Sequence, residues 1–171
     1  PDLRERLNIR MANEYNYLSQ SNCMVIDGVD DALNFHKLQD ALGIVRIGKE
    51  DQERVFATLA AVLWLGNISF RVVDNENHIE VVTDEALGTV ANLMGCSQQD
   101  LILVLSTRKI QAGKDSIAKW LTLQQAMDAR DALSKFIYAR LFDWLVEQVN
   151  KSLEVGNWRT GRSISILDIY G

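Results

Sequence analysis

Two stretches of the chain place residues where they could do chemistry. The first is terminal: Ser163-Ile164-Ser165-Ile166-Leu167-Asp168-Ile169-Tyr170-Gly171. β-Branched and apolar residues run into Asp-x-x-Gly, the pattern of a buried strand that ends in a turn. A carboxylate at a strand tip can hold Mg²⁺ directly or through water, which makes Asp168 a candidate ligand. A glycine just beyond it, Gly171, lets a backbone N–H approach a phosphate with no side chain in the way. The pattern is common in ordinary strand ends, so its meaning depends on its surroundings.

The second stretch is Thr107 to Leu121. Here Arg108, Lys109, Lys114 and Lys119 surround a single acid, Asp115, with Gly113 at the expected bend. On residue types alone it reads as a solvated hairpin loop. A third stretch imitates a phosphate-binding loop. Gly43-Ile44-Val45-Arg46-Ile47-Gly48-Lys49 fits that motif up to the lysine, but Glu50 stands where a Ser or Thr hydroxyl is required. It also follows a helical pattern where the motif needs a strand, so it reads as a bland loop. Cys23 and Cys96 lack metal-ligand spacing and are expected as buried core thiols of a reduced protein. His36 and His78 are expected to be solvated.

Several elements must position these residues. The chain has 171 residues, 47% of them hydrophobic, and one proline, enough for one domain with a real core. Net charge is −5 with no long run of one sign, so no nucleic-acid footprint is indicated, and no apolar run spans a membrane. Leu3 to Met11 reads as irregular or partly helical. Asp30 or Asp31 should cap a helix carrying Ala32, Phe35, Leu38 and Leu42, with Gly43 as its stop. Val55, Phe56, Leu59, Ala60, Leu63 and Trp64 predict a core helix ending at Gly66. Two strands, Ile68 to Val72 and Ile79 to Val82, flank the polar turn Asp74–Asn77. A helix over Asp84 to Met94 should close at Gly95, and Ser97 should cap a short one over Leu101 to Leu105.

Thr122-Leu123-Gln124-Gln125 is a capping box that opens the longest helix, which runs to Glu154 before Gly156. Ala126, Ala129, Leu133, Ile137, Leu141, Leu145 and Val149 line one face. Met127, Phe136, Phe142 and Val146 widen it, predicting burial on more than one side. The chain begins without Met on Pro1 and stops at Gly171, so it is expected to be a piece of a larger protein.

Leu167-Asp168-Ile169-Tyr170-Gly171 behind Gly161-Arg162-Ser163-Ile164-Ser165-Ile166 resembles the switch II strand of a myosin motor domain. The resemblance extends through Glu14–Gln20, Ile26–Ala32, Leu59–Ile68, Arg130–Lys135 and Arg140–Val146, in the family's order. The tyrosine of Asp-Ile-Tyr-Gly resembles the plant class VIII branch. The resemblance implies a mainly α, α/β fragment, with residues 1–171 as one piece of the motor domain. It would comprise helices of the upper 50-kDa subdomain, a small hairpin, and one strand of the central P-loop NTPase sheet at the C-terminus.

It further implies an actin-activated ATPase of the cytoplasm and actin cytoskeleton, with ATP and Mg²⁺ as cofactors and the actin filament as partner. Asp168 would reach Mg²⁺ through water, and Gly171 would donate its N–H to the γ-phosphate. Arg108, Lys109, Lys114, Asp115 and Lys119 would lie in the actin-facing cardiomyopathy loop. Asp115, sixteen residues before Asp131, would hold the position that is acidic or phosphorylatable in this family. The phosphate loop, switch I, relay helix, calmodulin-like light-chain sites and coiled coil would lie elsewhere, leaving this piece inactive alone. The competing reading is a helical protein-interaction domain with no nucleotide chemistry.

Overall fold

The computed structural model describes residues 2–21, 23–73, 78–112, 115–154 and 164–167, with backbone only at Ala112, Asp115 and Ser116. A short helix α1 (Leu3–Arg6) and a single 3₁₀ turn (Ala12–Glu14) open the chain. Helix α2 (Asp31–Ile44) starts where Asp30 accepts a hydrogen bond from the Leu33 N–H at 2.9 Å. It does not stop at Gly43. Val45 caps it, and Arg46 takes the left-handed conformation at φ 63°. Glycine is the easiest residue to place there but not the only one, so the turn fell later than composition suggested.

Helix α3 (Lys49–Leu65) follows with Glu50 and Asp51 in its first turn, where the helix dipole favours acids. Strands β1 (Phe70–Val72) and β2 (Ile79–Val81) pair antiparallel, with Arg71 opposite Glu80. Helix α4 (Glu85–Met94) is closed by Gly95 at φ 66°, as the sequence predicts; Asp84, expected inside the helix, instead caps it. Helix α5 (Gln98–Ser106) is capped by Ser97, whose hydroxyl accepts from the Asp100 N–H.

Strands β3 (Thr107–Ala112) and β4 (Asp115–Trp120) form a second antiparallel hairpin, closed at its base where Leu121 N–H donates to the Ser106 carbonyl. Helix α6 (Leu123–Leu153) then begins at the predicted capping box, with the Thr122 hydroxyl and the Gln125 amide each accepting from the other's N–H. Its 31 residues extend about 46 Å at 1.5 Å per residue.

Three apolar clusters hold these elements together, and α6 contributes to each. The largest joins Tyr15, Leu65, Ile68, Val81, Leu87, Val90 and Leu105, with Leu133 and Ile137 of α6 against it. The second gathers Leu7, Leu42, Ile47, Val55 and Phe56 beneath Leu141, Trp144 and Leu145. The third seats the base of the second hairpin: Leu121 and Ala126 meet Ile79, flanked by Phe70 and Ala129.

Three expectations need correction. The widened face of α6 is not buried on more than one side: Phe136, Phe142 and Val146 are exposed, and Phe142 only borders a cavity that α6 shares with α2 and α3. Residues 164–167 form no strand, and Ile164 is 98% exposed; a strand needs a hydrogen-bonded neighbour, and the described strands pair only with each other. Cys23 and Cys96 are both exposed, since each sits in a connection between helices, where backbone stays at the surface.

Burial ranks the helix positions. Leu65 is fully buried, whereas Leu141 is only partly so. Leu65→Ala should therefore cost about 2–5 kcal/mol and Leu141→Ala distinctly less. Denaturant melts of the intact protein check this, and equal losses at the two positions would contradict the packing described.

Candidate functional site

The hairpin β3–β4 presents the basic residues in a definite register. Antiparallel pairing sets Arg108 directly opposite Lys119, and Lys109 opposite Ala118. Directly opposed residues share a face, so two like charges meet across the strands, an arrangement that destabilises a hairpin by about 0.2–1 kcal/mol. Among the described residues neither cation has a carboxylate partner, and Lys109 has none either. Ile110 and Ile117, also a direct pair, are exposed on the same face as Arg108 and Lys119. Trp120 is 54% exposed at the base of the hairpin. Lys114 lies outside the described residues. Asp115 is placed by its backbone as the first residue of β4, paired with Ala112.

Asp168 and Gly171 lie outside the described residues. Among the described residues no cluster of His, Cys, Asp and Glu could hold a metal ion. The imitation phosphate loop is spread over the end of α2 and the start of α3, so only its middle is a loop, and a helix stands where the motif needs a strand.

A second cluster lies where α3 ends against α6, and residue spacing did not reveal it. Tyr17 Oη donates to Asp131 Oδ1 at 2.6 Å and lies 3.0 Å from Ser134 Oγ. Arg130 reaches the same Asp131 oxygen through Nε at 2.8 Å, and its Nη1 donates to the Ile68 carbonyl at 2.9 Å. The Tyr17 ring lies flat against Gly66. A Cβ at that position would come within 2.7 Å of ring carbon Cδ2, so only glycine fits. Asn16 and Asn67 add crossed hydrogen bonds, Asn16 Nδ2 to the Gly66 carbonyl and Asn67 Nδ2 to the Glu14 carbonyl.

Burial and the hydrogen bond to Asp131 raise the Tyr17 pKa above its ordinary value. Burial alone would raise Asp131, but hydrogen bonds from Arg130 and Tyr17 outweigh it and hold the carboxyl below the usual range. The signal for this cluster was present in the sequence as three separate blocks, Glu14–Gln20, Leu59–Ile68 and Arg130–Lys135, which the fold brings together.

The family model for the myosin head (motor domain) matches residues 1–171. The chain belongs to that family. It is 68% identical over 171 residues to Myosin-2 of Arabidopsis thaliana and 68% identical to Myosin-4 of the same plant, spanning 14% and 15% of those proteins. It is 38% identical over 174 aligned positions to the Myosin-J heavy chain of Dictyostelium discoideum, covering 99% of this chain and 8% of that protein. The mainly helical architecture with short antiparallel hairpins is compatible with a stretch of a myosin head. No described helix is long and apolar enough to cross a membrane.

The depressed Asp131 pKa makes a pH prediction with a definite sign. A carboxyl whose folded pKa is lowered contributes stability above its unfolded value, about 3.9, and loses it as pH falls through the folded pKa. Asp131→Asn should therefore lower the melting temperature at pH 7, and the gap to wild type should narrow below about pH 4. A gap that stays constant across acid melts would show that the carboxylate charge is not the stabilising feature.

Proposed function

We propose that this chain is part of an actin-based motor that couples ATP hydrolysis to movement along actin filaments, of the plant class VIII kind. Membership of the myosin head family supports this over a nucleotide-free interaction domain. The observation that carries it is the opposed pair Arg108 and Lys119 with no described counter-charge. Such a pair costs folding stability alone and is offset when an acidic surface docks, where opposite charge also speeds encounter and sets register.

In this reading the segment belongs to the upper 50-kDa subdomain and ends at switch II. The actin-facing loop comprises Arg108, Lys109, Lys114, Asp115 and Lys119. Asp168 holds Mg²⁺ through water, and Gly171 offers its N–H to the γ-phosphate of ATP. The bound Mg²⁺–ATP supplies the phosphoryl group that is hydrolysed; the chain's own part is to carry a carboxylate and an unobstructed backbone N–H at the end of one segment. The working protein is cytoplasmic and cytoskeletal, with calmodulin-like light chains and any coiled coil supplied by other regions. The segment alone neither turns over ATP nor moves.

Asp115 supplies, without a kinase, part of the charge that a phosphate would add, about −1.5 to −2. In the intact motor without kinase, Asp115→Ala should weaken actin activation while Asp115→Glu stays near wild type. Full activation of the Ala variant would leave the acid as a partner of neighbouring lysines worth at most about 1 kcal/mol.

The Asp168 assignment has its own measurement. Asp168→Asn should fold normally and lose steady-state ATP turnover, and a variant with normal turnover would remove Asp168 from the nucleotide site.

A further inference from the structure

Helix α6 has one consequential end on each side of the Tyr17–Asp131 contact. Toward its N-terminus, Thr122 and Leu121 join it directly to the basic hairpin. Asp131 lies nine residues beyond Thr122, about 14 Å along the axis. Toward its C-terminus the helix continues to Leu153 and leads into the segment that carries Asp168. A long helix held firmly at one place can carry displacement between its ends, provided that its tilt and rotation are fixed there.

That place is built from partly buried polar groups, with Ser134 buried beneath them, rather than from interchangeable apolar ones. The Arg130 side chain is 15% exposed, and its guanidinium is shared between Asp131 and the Ile68 carbonyl, at the end of α3 and the start of the first hairpin. Ser134, one turn along α6, is buried and hydrogen-bonds both Tyr17 and the Arg130 carbonyl. The Tyr17 ring stands against Gly66 and under the Arg130 guanidinium at 5.9 Å from its centroid. Hydrogen bonds of fixed direction set the rotation of α6 about its own axis, which apolar packing alone defines weakly.

We propose that Tyr17 and Asp131 form a positioning joint that fixes α6 against α3, so that filament binding at the hairpin is passed to the nucleotide-site end of the helix. Neither residue touches filament or nucleotide; they act through α6. This rests on the reading of the hairpin as actin-facing and of Asp168–Gly171 as nucleotide-sensing. Tyr17→Phe is the sharpest probe, because it keeps the ring on Gly66 and removes only the hydroxyl that reaches Asp131 and Ser134. Asp131→Asn is the second, keeping shape and removing charge.

The test is steady-state ATPase of the intact motor against actin concentration, with thermal melts alongside. A joint should show in the maximal actin-activated kcat, which falls about 2- to 30-fold in each variant, while basal turnover and the KM for actin stay near wild type. The double variant should fall by less than the product of the two single falls, since both weaken the one Tyr17–Asp131 contact while each residue keeps a partner of its own. Arg108→Ala combined with Lys119→Ala, in contrast, should raise the KM for actin. A Tyr17→Phe motor with wild-type kcat, beside hairpin variants that do raise KM, would overturn the joint and leave the hairpin reading intact. Hairpin variants with no effect on actin activation would overturn both. A parallel fall of melting temperature, basal turnover and activation in both joint variants would reduce the contact to fold stability and overturn the proposal.

Discussion

The packing of α6 against α3 depends on where the Arg130 guanidinium finds its acceptors. A half-hidden cation must be met by charge and by hydrogen-bond acceptors, because burial without them costs far more than a single contact returns. Asp131 supplies the charge and the carbonyl of Ile68 an acceptor at the end of α3. Tyr17 then closes the arrangement from the N-terminal segment, and it can approach only because residue 66 has no side chain. Three segments separated by 50 residues or more are thereby held at one point. The apolar clusters on either side supply most of the burial energy, but they do not by themselves choose this rotation of the helix.

Apolar surface is distributed unevenly around that point. On α3 and α4 the apolar positions, Met94 at the end of α4 excepted, are buried or partly buried, whereas α2 buries only Leu42 and leaves Leu33, Phe35 and Leu38 partly in solvent. Phe136, Tyr138, Phe142 and Val146 do the same on α6. The chain spans about 14–15% of the length of the Arabidopsis relatives it matches, so its own elements do not have to satisfy every apolar face.

The basic hairpin shows the opposite economy. Its strands pair in full register from Thr107–Trp120 to Ala112–Asp115, yet that register brings Arg108 onto Lys119 and leaves Ile110 and Ile117 exposed. Folding stability alone would favour opposite charges at that pair, as the first hairpin achieves with Arg71 and Glu80. Two hairpins of one chain thus differ in their central pairing, unlike charges opposed in the first and like charges in the second.

Much of the local structure was legible in the residues. Asp30, Ser97 and Thr122 cap the helices that their side-chain chemistry predicts, because a capping bond is made within a few residues and needs nothing distant. Gly95 ends α4, the first hairpin falls where β-branched runs were expected to pair, and the second falls where the charged stretch around Gly113 read as a hairpin loop. The sequence alone also carried the family, through blocks whose order is specific. It did not carry the joint between Tyr17, Gly66, Arg130 and Asp131, since hydrogen bonds across more than 100 residues leave no periodic trace. Nor did it say which apolar stripes are covered: amphipathic spacing records that a face wants burial, while the neighbour that buries it is decided by tertiary packing. The exposed thiols of Cys23 and Cys96 and the unpaired segment 164–167 follow from that same separation between a residue's preference and the partner available to meet it.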